Sequence, residues 1–356
     1  DTALFPARSW GRIQKELLYQ RPELLQRGEM QGDAPLRTQI AEYLSVYRGV
    51  ECTPEQIVVG AGIEYLLGCL AHLFSDGMAA IENPGYFRTR TVLQNSGIPC
   101  TLVDIDREGL PADALEKSGA NLCYLTPSHH FPTGVTMPAT RRAQLLAWAA
   151  ARPGRYILED DYDSEFRFSG LPIPTLQSLD TRGRVIYLNT FSKTIAPALR
   201  ISYMILPQAL LPIWQETMGF YSCAVPSFEQ LTLTRFLDGG YFERHVSRMK
   251  KHYKARLQGL LALLAQPETA RLCTARQAVA GLHFLLEFHT KERGQSLRAA
   301  LGNAGLSAPL LSEFYLREAP MEAGRCAVVQ YAGLDPDAFA KSMRTLAERL
   351  TPEPAG

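Results

Sequence analysis

The sequence predicts an α/β protein with a large, mostly parallel sheet domain and a smaller α+β domain at its C-terminal end. Three observations predict it. From about residue 36, helical periodicity alternates with short apolar runs, the pattern of βα units feeding a parallel sheet. Several of these runs stop abruptly in glycines, hydroxyls or charges, where open α/β sheets place their ligands. After about residue 230 the alternation gives way to a long amphipathic stretch and a few separated strands. The expected boundaries are an N-terminal arm over 1–35 that forms part of the small domain, a large domain over 36–230 and a small C-terminal domain over 231–356.

Taken in order, Leu36, Ile40, Leu44 and Tyr47 keep one helical face. Thr53-Pro54-Glu55-Gln56 offers an N-cap and a proline at the first helical position for a short turn, and the strand Ile57-Val58-Val59 follows. Further strands are expected at 78–82, 99–104, 121–125, 156–160, 184–188 and 200–205. The amphipathic stretch runs from Tyr241 to Leu264, then come a strand over 281–288, a helix, a strand near 325–332 and a last helix over 335–350.

Composition narrows the class. The 356 residues carry 37 basic and 36 acidic side chains and are 46% hydrophobic, ample for a sizeable core. With the charge balanced and no Lys/Arg cluster, this segment alone is not expected to bind nucleic acid. Seven cysteines without a C-x-x-C pair signal neither a zinc site nor a disulfide framework, and point to a reducing cytoplasm. No apolar run reaches the roughly 18 residues of a membrane span. The start, DTALFPARSW, predicts a chain that begins within a longer polypeptide.

Three local features carry chemistry. The first is Tyr156-Ile-Leu-Glu-Asp160-Asp-Tyr162, a buried strand ending in carboxylates and a phenol. Asp160 could keep a pyridine nitrogen protonated and Tyr162 could bond a ring oxygen; alone, the run is equally an acidic loop with metal affinity or plain solvation. The second is Asn189-Thr190-Phe-Ser192-Lys193, with Arg200 seven residues on. Lys193 can form an imine with an aldehyde, while Thr190, Ser192 and Arg200 can neutralise a phosphate dianion. The third is Gly60-Ala-Gly62-Ile63-Glu64, where a strand breaks at glycines and restarts as a helix whose free N–H groups suit an anion. Tyr86, in Glu82-Asn-Pro-Gly-Tyr86, is the aromatic available to stack on a ring. An aldehyde, a pyridine and a phosphate in one cofactor describe pyridoxal 5'-phosphate.

Together these residues resemble the fold-type I aminotransferases over nearly the whole chain. The stretches Arg48-Gly-Val-x-Cys52-x-Pro-Glu-Gln-Ile57, Thr126-Pro-Ser-His-x-Phe-Pro-Thr-Gly134, Glu159-Asp-Asp-Tyr-Asp-Ser-Glu-Phe-Arg167 and Thr190-Phe-Ser-Lys193 resemble, more narrowly, the aminotransferase-like domain of MocR/GabR-type regulators. In that group a GntR-type winged helix-turn-helix precedes the domain. The resemblance implies Lys193 as the Schiff-base lysine and Asp160 at the pyridine nitrogen. It implies Tyr162 at the ring oxygen, Tyr86 on the ring face, and Gly62, Ile63, Thr190 and Arg200 around the phosphate. Three places depart from the family pattern. Phe131 stands where aminotransferases carry an Asn that bonds the ring oxygen. Val328 stands where they carry the Arg that clamps a substrate carboxylate, and strand alternation points Arg325 to the opposite face. Arg27 stands where a tyrosine serves the neighbouring subunit's phosphate. His129 and His130 are read as loop-shaping polar residues, and Phe131-Pro132 as a cis bond.

The expected function is an effector-sensing, dimerising domain of a transcriptional regulator, answering to the cofactor itself or to a small amine or amino acid, with little transaminase turnover. The alternative is a free-standing aminotransferase with an unusual carboxylate site; a third is a fold kept for dimerisation without cofactor. The expected partners are a second copy of the chain and, through an upstream domain only, DNA; no membrane and no metal are expected.

Overall fold

A computed structural model describes residues 2–20, 28–74, 76–168 and 173–350. Its larger sheet has seven strands: β1 (Ile57–Gly60), β2 (Ala79–Asn83), β3 (Cys100–Asp104), β4 (Leu122–Leu125), β5 (Tyr156–Asp160), β6 (Val185–Thr190) and β7 (Ser202–Ile205). Their spatial order is β1-β7-β6-β5-β4-β2-β3. β3, β2, β4, β5 and β6 run parallel, and β7 is antiparallel to both β6 and β1. The sheet is covered on both faces, so its strands are continuous apolar runs. Ile186 and Leu188 of β6 join the cluster around Leu66, Leu70 and Trp214, whereas Tyr187 points the other way, to Leu36, Ile40 and Phe236.

The helix Ala34–Arg48 has a proline in its first turn and closes on Gly49 at φ +62°, a left-handed cap that a side chain would strain. The expected turn before β1 is a 3-10 helix over Pro54–Gln56, with the Thr53 N–H donating to Gln56 Oε1 at 3.1 Å. In the N-terminal arm, the helix Ala7–Gln20 lays Trp10, Ile13 and Leu17 into the cluster under β1 and β7, while Leu4 touches the core of the smaller sheet.

That smaller sheet is antiparallel, in the order β10-β9-β8: β8 (Cys273–Arg276), β9 (His283–Phe288) and β10 (Cys326–Gln330). The helices Tyr241–Leu264 and Pro336–Arg349 pack over it through Tyr253, Leu257, Phe339 and Met343. β10 starts one residue later than the expected strand, and Arg325 is the last residue of a 3-10 turn rather than a strand position. The opposite face assigned to Arg325 by alternation therefore does not apply. The two sheets meet where Gly281 donates its N–H to the Phe166 carbonyl at 2.9 Å and accepts the Tyr331 hydroxyl at 2.6 Å. Among the described residues no helix is long and apolar enough to cross a membrane, and the seven cysteines are free thiols.

Candidate functional site

Strands β1, β2, β4, β5 and β6 and the loops after them, with Phe314 and Gln330 of the small domain, line a cavity of about 460 Å³. Its lining brings together Gly62, Ile63, Tyr86, Asp160, Tyr162, Thr190, Ser192, Lys193 and Arg200, from five separate stretches of chain. Arg27 lies outside the described residues.

The acidic run at the end of β5 separates into four different environments. Glu159 accepts the backbone N–H groups of Leu176 and Gln177, each at 2.8 Å, and so fixes the next helical turn. Asp160 lines the cavity; Tyr124 donates to its Oδ2, and its Oδ1 is buried with no partner among the protein atoms. Burial pushes the Asp160 carboxyl up to about 7, against the hydrogen bond from Tyr124 and with Asp161 and Asp163 adding repulsion. Asp161 is buried too, but Arg48 at 2.6 Å and the Tyr187 hydroxyl at 2.8 Å outweigh burial and hold it below the usual carboxylate range. Asp163 is 2.9 Å from His129 Nδ1. None of the four is a solvated loop charge.

Lys193 is exposed to the cavity on a tight loop that its neighbours hold down. Phe191 is buried against Tyr203 and Phe242, Ile195 N–H donates to the Phe191 carbonyl at 2.8 Å, and His245 Nε2 lies 2.8 Å from the Thr194 carbonyl. The Thr190 hydroxyl is fully engaged: it donates to the Ile201 carbonyl and accepts from Ser202 at 2.8 Å and from the Ser192 N–H at 3.1 Å. Thr190 therefore shapes the loop, and Ser192, whose buried Oγ has no partner, is the hydroxyl left for a ligand.

Opposite this loop, Gly62 at φ +106° begins the helix Ile63–Ala71, and a side chain there would collide with the Arg200 guanidinium. Glycine thus lets a cation and a helix N-terminus share one spot. Arg200 is partly exposed, 3.2 Å from Glu64 Oε2.

The remaining wall is aromatic. Phe131 stacks edge-on against Tyr86 at 6.1 Å, Phe314 at 5.2 Å and His283 at 5.2 Å, and the Phe131-Pro132 bond is cis as expected. Behind it Val328 is fully buried among Leu285, Leu311 and Cys326. Below Phe131, Glu82 accepts from Thr126 and lies 3.5 Å from His130 Nε2. The contact is not an ion pair: burial lifts Glu82 to about 8 and drops His130 to about 3, so both are neutral at pH 7. His130 and His129 do shape the loop, through Thr133 and Asp163.

Sequence reasoning missed Tyr124, Ser202 and the His129–Asp163 pair. Tyr124 could have been found: it stands opposite Leu158 in the parallel register, and strand alternation puts Asp160 on the same face. Ser202 and Asp163 carry no such local signal.

Comparison with known proteins identifies the family. Residues 3–308 match the family model for aminotransferase class I and II. The chain is 40% identical over 291 residues to the uncharacterized HTH-type transcriptional regulator YdeL of Bacillus subtilis, covering 81% of this chain and 62% of that protein. It is 33% identical over 346 residues to the probable rhizopine catabolism regulatory protein MocR of Rhizobium meliloti, covering 96% and 69%. The crystal structure of LysN, an α-aminoadipate aminotransferase from Thermus thermophilus complexed with N-(5'-phosphopyridoxyl)-L-leucine, superposes at a TM-score of 0.82 with 25% identity, covering 97% of this chain and 88% of that one. The chain thus spans somewhat under two thirds of YdeL and slightly more of MocR.

Proposed function

Because the chain belongs to the aminotransferase class I and II family and is akin to MocR-type regulators, we propose that it is the cofactor-binding, effector-sensing and dimerisation domain of such a regulator. The cofactor is pyridoxal 5'-phosphate. When bound, it supplies an aldehyde that exchanges one amine for another and a ring that withdraws electrons when its nitrogen is protonated.

The cavity fits that group. Two buried polar atoms on its wall, Asp160 Oδ1 and Ser192 Oγ, have no protein partner, and a side chain at Gly62 would collide with the Arg200 guanidinium beside the helix N-terminus. Lys193 would bond the aldehyde and Asp160 would hold the proton on the ring nitrogen. Tyr162 would donate to the ring oxygen, and Tyr86 would cover the ring. The Gly62 N–H already donates to the Gly60 carbonyl at 2.9 Å, so Gly62 would serve by leaving room; the Ile63 N–H, with Ser192 and Arg200, would bind the phosphate, and Thr190 would buttress them. Arg27 would reach the phosphate of a second subunit.

The sensing reading is carried by Val328. At the place of the family's carboxylate clamp stands a side chain with no donor, sealed in an apolar cluster with Phe131 and Phe314 packed against it. Besides Arg200, Arg88 is the guanidinium on the cavity lining, and it hydrogen-bonds the Tyr86 phenol, which a carboxylate would have to displace. An amino acid would be admitted yet held loosely, and a reacting group misplaced by about 1 Å loses on the order of a hundredfold in rate. Two measurements test this. Borohydride treatment of the yellow domain followed by peptide mapping should place the phosphopyridoxyl group on Lys193; an adduct on another lysine overturns the assignment. Incubation with a panel of amines, amino acids and 2-oxoglutarate should shift the visible band without releasing keto acid, and steady turnover with any of them makes the chain an aminotransferase instead. DNA contact would come from a winged helix-turn-helix preceding this segment, which footprinting with the full-length protein tests.

A further inference from the structure

At the seam between the two sheets, three buried residues with no part in holding the cofactor meet beside it. His129 follows β4, Asp163 follows β5 and His283 opens β9, and among the described residues they form a group whose ligand atoms lie within 4.8 Å of one another. The contacts show hydrogen bonding. His129 Nδ1 is 2.9 Å from Asp163 Oδ2, and since a carboxylate only accepts, Nδ1 carries the hydrogen. His283 Nε2 is 3.1 Å from the Pro132 carbonyl and likewise donates. The two imidazoles lie 4.4 Å apart, centroid to centroid.

The Tyr162 phenol sits in the corner this pair makes: its hydroxyl donates to the His129 carbonyl at 3.2 Å, a hydrogen that a ring oxygen would have to draw away, and it lies 3.4 Å from His129 Nδ1, with Asp163 facing it. The other groups facing the corner are Asp160 and Tyr124 from the large sheet, and His130 and Lys193 towards His283. The far side of the corner belongs to the small domain. Gly281, at φ +69°, lies so close that a side chain there would strike both the His129 ring and the Asp163 carboxylate.

We propose that the Asp163–His129 pair positions Tyr162, and that Gly281 and His283 make this positioning depend on how the small domain is seated. The proposal rests on the reading that Tyr162 meets the cofactor's ring oxygen. With the small domain seated, the imidazole is caught between Gly281 and Asp163 and the phenol has one place to point. When the small domain shifts, the imidazole gains room and the phenol's donor drifts. An amine that alters the seating would thereby be felt at the ring, and by linkage the ring's state would bias the seating.

The test is a pH titration of the visible absorption band of the cofactor-loaded domain. His129→Ala should raise its apparent pKa by about half a unit or more, because a loosened phenol stabilises negative charge on the ring oxygen less well. His129→Asn places an amide donor where Nδ1 stood and should restore the parent titration, a rescue that a merely space-filling role would not predict. A parent-like titration in His129→Ala, or an equal shift in both variants, overturns the proposal. Should the alanine variant not fold, Asp163→Asn carries the same test: it removes the charged acceptor that fixes the imidazole, and an unmoved band rejects the pair's role. The borohydride adduct separates the two levels of failure. Without it on Lys193 the cofactor reading fails and this proposal with it; with the adduct present and the titration unmoved, only this proposal fails.

Discussion

Asp160 is a buried carboxyl whose ordinary neighbours, Asp161 and Asp163, make ionisation harder still. A protonated ring nitrogen on its free Oδ1 would reverse that balance by supplying the missing positive charge. Asp160→Asn, which keeps the shape and loses the charge, should therefore lower cofactor affinity by about tenfold or more and move the absorption band, as equilibrium dialysis and absorbance will read; parent-like retention would reduce Asp160 to a scaffold. The same burial has a consequence for stability. Asp160 and Glu165 are raised to about 7 and Glu82 to about 8. Groups raised on folding stabilise the fold fully below their unfolded pKa values near 4 and lose that contribution as pH climbs through the folded values. The cofactor-free domain should thus melt higher at pH 6 than at pH 8.5, and Glu82→Gln, neutral at both, should raise the midpoint at pH 8.5 by roughly 2–5 °C and flatten the dependence. A calorimetric midpoint unchanged across that window would contradict it. That Lys193, Asp160, Tyr162 and Arg200 meet at one cavity was legible in the sequence, because the first three are chemically distinctive residues at the ends of β5 and β6 and Arg200 stands just before β7. His129 and Asp163 were not, because their meaning lies in a contact between loops 34 residues apart.

Among the elements, the parallel strands were readable from their uninterrupted apolar runs, which double-sided burial demands. β8 was not: Cys273–Arg276 buries only its first residue and holds its place through pairing with β9, which no local pattern announces. The helix Ala7–Gln20 has its buried residues at helical spacing, but Gly11 and the basic residues between them leave the decision to packing against Phe236. The turn from β1 into the helix Ile63–Ala71 is the element whose backbone most directly meets the site, and two of its glycines separate function from stability. Gly62 is held at φ +106° against Arg200, so Gly62→Ala should weaken cofactor binding by about tenfold or more with the fold retained. Gly68 sits inside the helix with nothing closer than 3.7 Å to a side chain placed there. Gly68→Ala should leave binding unchanged and add about 0.5–1 kcal/mol to stability. Equal effects on binding from the two substitutions, read by fluorescence titration with pyridoxal phosphate, would mean that the turn does not hold the phosphate.

At the scale of the whole molecule, the site is open on a surface that a water-facing monomer would not favour. Phe220 and Tyr221 are 72% and 50% exposed, their rings 4.4 Å apart, and Tyr65 lies beside Tyr221 at the head of the helix that lines the cavity. Phe87, also half exposed, is itself part of the cavity lining. An exposed aromatic pair such as Phe220 and Tyr221 is the kind of apolar surface a docking partner covers. A two-fold pairing is the simplest way to cover such a patch with its own copy, since one self-complementary face then serves both subunits. The isolated domain should therefore sediment as a homodimer, and Phe220→Asp, which sets a charge in the middle of the patch, should weaken self-association by about tenfold or more while leaving the melting midpoint of the separated subunits unchanged. Since Lys193, Asp160 and Ser192 all come from one chain, a monomeric variant would keep the aldehyde and ring contacts and lose only what the partner adds at the phosphate. Its cofactor affinity should then fall less than that of Gly62→Ala. A parent chain that sediments as a monomer and still holds pyridoxal phosphate would show the site to be complete in one subunit.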